Sequence, residues 1–206
     1  MAQKLKEETR KAIIEAAKEE FLEKGFEDAS MRNIAAKANI TVGNIYRYFQ
    51  NKEELNAFIV AETSDDISRL LNSLKVERLS KEPRVFEMKS DPLQLEKMVN
   101  DLSFSLCRLY QEKGTSFNIL LRDENSCKTF KEWFKKTIGD LMRQSYSLSD
   151  RKRQVDILSD VYSSAVYEGL CRIFANDDLD IRDLLKLLRA YLNSFFRMVL
   201  DDNSLR

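Results

Sequence analysis

The sequence predicts an all-α protein, and three observations carry that prediction. Among 206 residues there are only five glycines and two prolines, a small share against the roughly 12% of average proteins. Strands and tight turns need those residues at each corner, so their scarcity favours helices joined by short loops. Apolar residues recur at three- and four-residue steps in segment after segment, the period of a single helix face. Hydrophobic residues make up 43% of the chain and charged residues 33%, enough for a core and for a wetted surface. About nine helices fit this pattern.

The first periodic segment runs from about Glu7 to Lys24, with Ile13, Ile14, Ala17, Phe21 and Leu22 on one face. Gly25 suits the left-handed position that ends a helix, and Phe26 then folds back onto the same core. Ser30 reads as the N-cap of a short helix, Met31 to Ala38, whose Ile34, Ala35 and Ala38 point inward. Asn39 can take the positive φ that a tight turn demands. Thr41 reads as the N-cap of a third helix, Val42 to Phe49, in which Ile45 and Phe49 are core. Asn51 caps a fourth, with Glu54 completing a capping box. Two short helices joined by a tight turn form the pattern of a helix-turn-helix.

From Glu53 the segments lengthen. The fourth helix runs through Phe58, Ile59, Ile67, Leu70, Leu71 and Leu74 to about Leu79, and a polar loop, Ser80 to Ser90, follows. Asp91 and Pro92 open the next helix as N-cap and first residue, and Gly114 is expected to end it. A short segment, Ser116 to Arg122, precedes a helix carrying Phe130, Trp133, Phe134, Ile138 and Leu141. The last two run from about Asp150 to Ala175 and from Ile181 to Leu200. The expected division is a helix-turn-helix domain over 1–52 and a larger helical domain over 53–206.

Several functions are excluded outright. The chain has no histidine, so neither a His-dependent nucleophile, nor a His-containing zinc site, nor the Glu-x-x-His motif of paired-iron bundles can be built. Cys107, Cys127 and Cys171 are odd in number, lack Cys-x-x-Cys spacing and read as buried thiols of a reducing compartment. No cofactor is called for, and nothing points to an enzyme. The longest apolar run, Ala57–Ala61, is far short of the roughly 18 residues of a membrane span. The charged N-terminus, MAQKLKEETRK, has no apolar signal region. The expectation is a cytoplasmic protein with no membrane contact.

Charge is sorted along the chain. Lysines and arginines equal aspartates and glutamates at 34 each, yet Met31–Lys52 holds Arg32, Lys37, Arg47 and Lys52 with no acid at all. Such a segment is either a chance gap between acids or a surface for an anionic partner. The stretch Ser30–Leu55, SMRNIAAKANITVGNIYRYFQNKEEL, resembles the DNA-binding signature of the tetracycline-repressor (TetR) family of bacterial transcription regulators. Phe21-Leu22-Glu23-Lys24-Gly25-Phe26 resembles the end of that family's first helix. The resemblance rests on Ile34-Ala35, Ala38, Gly43, Tyr46, Phe49, Lys52 and Leu55. Asn39 stands where the family usually has glycine, Thr41 where it has serine, and Tyr48 where it has histidine.

The chemistry of these residues suits double-stranded DNA. Ser30 and Thr41 sit at helix N-termini, where a hydroxyl and free N–H groups can grip a phosphate oxygen. Tyr46 and Tyr48 offer phenolic O–H groups, Lys52 a charge, and Arg32 a group that reaches phosphate or base. Gly43 lets the recognition helix approach the groove. Val42 against a thymine methyl, Asn44 towards adenine and Arg47 towards guanine or phosphate would read bases. How these contacts divide between base and phosphate stays open.

For the larger domain the resemblance implies a pocket for a small effector, whose binding moves the fourth helix. Phe104, Tyr110, Phe117, Trp133, Phe134, Tyr162 and Tyr167 as a set could line it, which suggests an effector of largely apolar type, although each taken singly reads first as plain core. In the last helix apolar residues cover far more than one stripe. The helix is therefore either buried within one chain or, as the resemblance implies, part of a two-fold four-helix interface. Ala165 and Gly169, a small-residue ridge, with Leu188, Leu192, Phe195 and Phe196, are the expected homodimer contacts. The predicted protein is a homodimeric repressor released from a near-palindromic operator by an effector. An activator, or an all-helical adaptor without sequence-specific DNA binding, is the alternative.

Overall fold

The computed structural model describes residues 2–79, 92–123, 127–145, 152–176 and 178–201. Among them are eight helices and no strand: α1 (Ala2–Asp28), α2 (Met31–Lys37), α3 (Val42–Ile45), α4 (Lys52–Leu79), α5 (Pro92–Arg122), α6 (Lys128–Ser145), α7 (Lys152–Phe174) and α8 (Ile181–Asp201). The all-α prediction holds. The expected loop Ser80–Ser90 and the cap Asp91 lie outside the described residues, and Pro92 does open α5.

Among the described residues eight helices stand where about nine are expected, because the break expected at Gly114 is a kink within α5 and not its end. The backbone leaves helical angles one residue earlier, at Lys113 (φ −136°, ψ 31°), and helix resumes at once. Continuing is favourable, because the resumed turns bury Phe117, Ile119, Leu120 and Leu121. Gly25 behaves as expected, breaking α1 at φ 78° and ψ 168°. Helix α3 is shorter than expected. Beyond Ile45 the chain makes tight turns, with Arg47 N–H donating to the Asn44 carbonyl and Tyr48 N–H to that of Ile45.

The chain folds as two compact units. One comprises Met1–Asp65 and Lys113–Cys127; the other comprises Asp66–Glu112 and Lys128–Arg206. The division between these units falls inside α4 and α5.

The first unit is built on Ile13, Ala17 and Phe21 of α1, Ile34 and Ala35 of α2, Ile45 of α3, and Phe49 and Leu55, all buried. Ala38, expected in this core, is only half-buried. Arg122 donates to the Leu22 carbonyl at 2.8 Å, and Asn56 donates from Nδ2 to the buried Asp123 carboxylate at 2.9 Å. These bonds tie the end of α5 to α1 and α4, which is why the residues after the kink belong with the N-terminal helices.

In the second unit α6, α7 and α8 pack on one another. Phe134 lies 5.2 Å from Phe130, 5.1 Å from Trp133 and 6.5 Å from Phe196, ring centre to ring centre. Trp133 donates its indole N–H to the Leu71 carbonyl at 3.1 Å. None of the three cysteines is in a disulfide; Cys107 and Cys127 are buried and Cys171 is half-buried. Burial pushes the Cys107 thiol up to about 11, against the pull of Arg189, so it is a packing group here, not a reactive thiolate.

Candidate nucleic-acid interface

The helix-turn-helix is assembled by short-range polar chemistry. The Ser30 hydroxyl oxygen accepts from the Asn33 N–H at 3.2 Å, and that of Thr41 accepts from the Asn44 N–H at 3.3 Å. Each hydroxyl keeps its own proton available to an outside acceptor. Between the caps Asn39 adopts φ 54°, the left-handed turn that a short polar side chain tolerates. Asn51 accepts from the Glu54 N–H at 2.7 Å, while the Glu54 carboxylate reaches back one residue beyond the cap, to the Gln50 N–H at 2.7 Å.

Helix α2 is pinned to α1 by a buried carboxylate. Glu20 is 1% exposed; it accepts from Asn33 Nδ2 at 2.9 Å and pairs with Lys37 at 3.1 Å, whose ammonium also meets Glu23 at 2.7 Å. Burial alone would raise the Glu20 pKa. The bonds from Asn33 and Lys37 outweigh burial and hold it below the usual carboxylate value, while Glu23 and Glu20 push Lys37 up. This network had no signature in the sequence, because Glu20 and Asn33 are thirteen residues apart and follow no helical spacing.

Lys52 must be reassigned. Its ammonium donates to the carbonyls of Phe26 at 2.5 Å, Glu27 at 2.8 Å and Ala29 at 3.1 Å, and lies 4.5 Å from the Phe26 ring centre. An ammonium has three donors, and all three are engaged in closing the chain after Gly25. Of the four cations in the acid-free stretch, Lys37 and Lys52 therefore hold the unit together. Arg32 and Arg47 are exposed.

The remaining expected contacts lie on accessible surface. Val42 is 39% and Tyr46 50% exposed; Thr41 and Gly43 are exposed, and Ser30, Asn44 and Tyr48 are half-buried. Thr41, Gly43, Asn44 and Arg47 share one open groove with Ala36, Asn39 and Ile40. Ser30 and Arg32, at the other end of α2, do not line it. A Cβ on Gly43 would meet nothing within 4 Å, so no internal packing demands glycine there. A second cleft, about 480 Å³, is lined by Gln3, Lys6, Glu7, Arg10, Arg47 and Tyr48. Reading the N-terminus only as a charged segment missed Lys6 and Arg10; their four-residue spacing on one helix face was the available signal.

The seven aromatics expected as pocket lining have different surroundings. Phe117 belongs to the first unit and Phe104 is 57% exposed. Trp133 and Phe134 are buried, and ring centres lie 5.2 Å apart for Tyr110 and Phe174, 6.3 Å for Tyr162 and Phe195, and 6.4 Å for Tyr167 and Phe130. The residues expected as dimer contacts are mostly packed within the chain. Leu188, Leu192 and Phe196 are fully buried within the chain and Phe195 is 7% exposed. Gly169 serves a contact within the chain: Tyr191 lies across it, its hydroxyl donating toward the Ala165 and Val166 carbonyls at 3.1 and 3.2 Å. Ala165 alone of that set is exposed.

Known proteins resemble this chain in the same region. Residues 13–57 match the family described as bacterial regulatory proteins, tetR family. The HTH-type transcriptional regulator YdgC of Bacillus subtilis is 37% identical over 70 residues, 34% of this chain and 36% of that protein. PksA, an HTH-type transcriptional regulator of the same organism, is 33% identical over 82 residues, 40% of each chain. The matched stretch thus spans well under half of these relatives. A TetR-like transcriptional regulator from Rhodococcus sp. RHA1 superposes with a TM-score of 0.58 over 94% of this chain and 97% of its own. PfmR from Thermus thermophilus, a TetR family regulator, gives 0.53 over 90% and 97%. At 16% and 18% identity these two are likenesses of fold.

Proposed function

We propose, from the premise that this chain belongs to the TetR family of bacterial transcriptional regulators, that it is a homodimeric repressor released from a near-palindromic operator by a small effector. The observation that carries the DNA-binding reading is the groove along α2 and α3. A glycine inside a helix costs up to about 1 kcal/mol relative to alanine, and a Cβ on Gly43 would meet nothing within 4 Å. Its reason therefore lies outside the chain, in a surface that approaches the backbone closely. Around it stand groups suited to duplex DNA: Val42, Asn44 and Arg47 for base edges, and the hydroxyls of Ser30, Thr41, Tyr46 and Tyr48 with Arg32 for phosphates.

Dimerisation is assigned to the outer face of α7, where Ile157 and Val161 are 55% and 54% exposed and Ala165 continues the stripe one turn on. A two-fold pair would set two recognition helices about 34 Å apart, one turn of DNA. Effector sensing is assigned to the unit formed by Asp66–Glu112 and Lys128–Arg206, for a largely apolar ligand.

The test is fluorescence anisotropy with DNA from upstream of the protein's own gene and a shuffled control, at several salt concentrations. Discrimination of at least about 10³ supports a sequence-specific regulator, and the same assay then screens ligands for release. Equal weak binding to both duplexes would instead favour an adaptor. Tyr46→Phe is expected to weaken binding to all sequences alike, by about 1 kcal/mol for one hydrogen bond; a change in sequence preference alone would refute its phosphate role.

A further inference from the structure

We infer that the cleft between the first turns of α1 and the tight turns that follow α3 is a second anion site, and that its occupant is a DNA backbone phosphate outside the stretch read by α3. The inference rests on the DNA-binding reading and extends its footprint. Lys6, Arg10 and Arg47 line this cleft together with Tyr48, and Glu7 is the one carboxylate of its lining. Three cations against one anion leave it strongly positive, and among the described residues none of the three cations forms an ion pair.

Arg10 is held ready. Its guanidinium lies 4.4 Å from the ring centre of Phe58 and 5.6 Å from that of Phe49, and the two rings are themselves 5.7 Å apart. A guanidinium stacked on a ring face keeps its in-plane N–H donors free, the fork that matches phosphate geometry. The half-exposed Phe58, at 44%, thereby acquires a purpose. Arg47 and Tyr48 belong both to this cleft and to the end of the recognition element, so a phosphate bound here would be continuous with the DNA track.

The experiment uses the full-length protein with a labelled duplex selected from random sequence by the wild type, and a shuffled duplex. Each phosphate contact contributes about 0.9 to the slope of log K against log salt. Lys6→Gln and Arg10→Gln should each flatten that slope by about one unit per subunit on both duplexes, with the ranking of sequences unchanged. Glu7→Gln should tighten binding to both, a gain that misfolding cannot produce. Wild-type slopes in Lys6→Gln and Arg10→Gln, or no gain from Glu7→Gln, would overturn the inference. Loss of discrimination by the wild type would refute sequence-specific regulation instead, and the slopes on shuffled DNA would still decide the cleft.

Discussion

Lys52 shows how one side chain can change role between a linear and a folded reading. Its charge at the start of α4 suits a phosphate, but three carbonyls after Gly25 already take its donors. Lys52→Ala should therefore destabilise the protein by about 2 kcal/mol in urea denaturation followed by circular dichroism, and leave the salt slope of DNA binding unchanged. Glu20 makes a pH-dependent contribution. Because its folded pKa is depressed, its stabilisation is complete above the unfolded carboxylate value of about 4.3 and is lost as pH falls through the lower folded value. Glu20→Gln should cost on the order of 1 kcal/mol at pH 7, a difference that shrinks during acid titration. Asn39, at φ 54°, should tolerate glycine, whereas Asn39→Ala should cost about 1 kcal/mol.

At the scale of the element, α7 and α8 cross where Gly169 makes room for a ring. A Cβ there would overlap the Tyr191 hydroxyl oxygen and Cζ. The ring is rigid, so Gly169→Ala must shift the side chain or the helices, at about 1–3 kcal/mol. Thermal unfolding would measure that loss, and adding Tyr191→Leu should recover part of it. The width of the apolar belt on α8 also has its explanation within the chain: Leu184, Leu188, Leu192, Phe196 and Val199 are all buried, the alternative of a helix packed inside the monomer. Only Leu187 at 42% and Met198 at 50% stand outside as large exposed apolar groups of this helix.

For the molecule as a whole, the proposed dimer and the core make opposite demands that a single charge can separate. Val161→Glu places a carboxylate on the exposed α7 stripe and should yield folded monomers in sedimentation velocity with native helicity. Leu192→Glu places one in a fully buried position, and its desolvation should unfold the second unit instead. A folded dimer in the Val161→Glu variant would move the interface elsewhere. The two compact units give a further reason to separate these readouts. Both α4 and α5 contribute residues to each unit, so neither unit is one continuous stretch of chain.

What the sequence determined by itself is local. The caps at Ser30 and Thr41, the left-handed Asn39, the break at Gly25 and the start of α5 at Pro92 each depend on residues within one turn of one another, and backbone sterics and cap chemistry act at that range. The helix-turn-helix and its exposed residues were legible for the same reason. Tertiary structure alone decided what fills each apolar face and where each cation spends its donors. Helical periodicity marks a face as apolar without naming its neighbour, so Leu188, Leu192 and Phe196 could be read as interface until α8 was seen packed with α6 and α7. The Glu20–Lys37 pair, the Lys52 clamp and the Lys6–Arg10–Arg47 cleft join residues distant in sequence, and only the closing of the chain brings such groups within hydrogen-bonding or electrostatic reach.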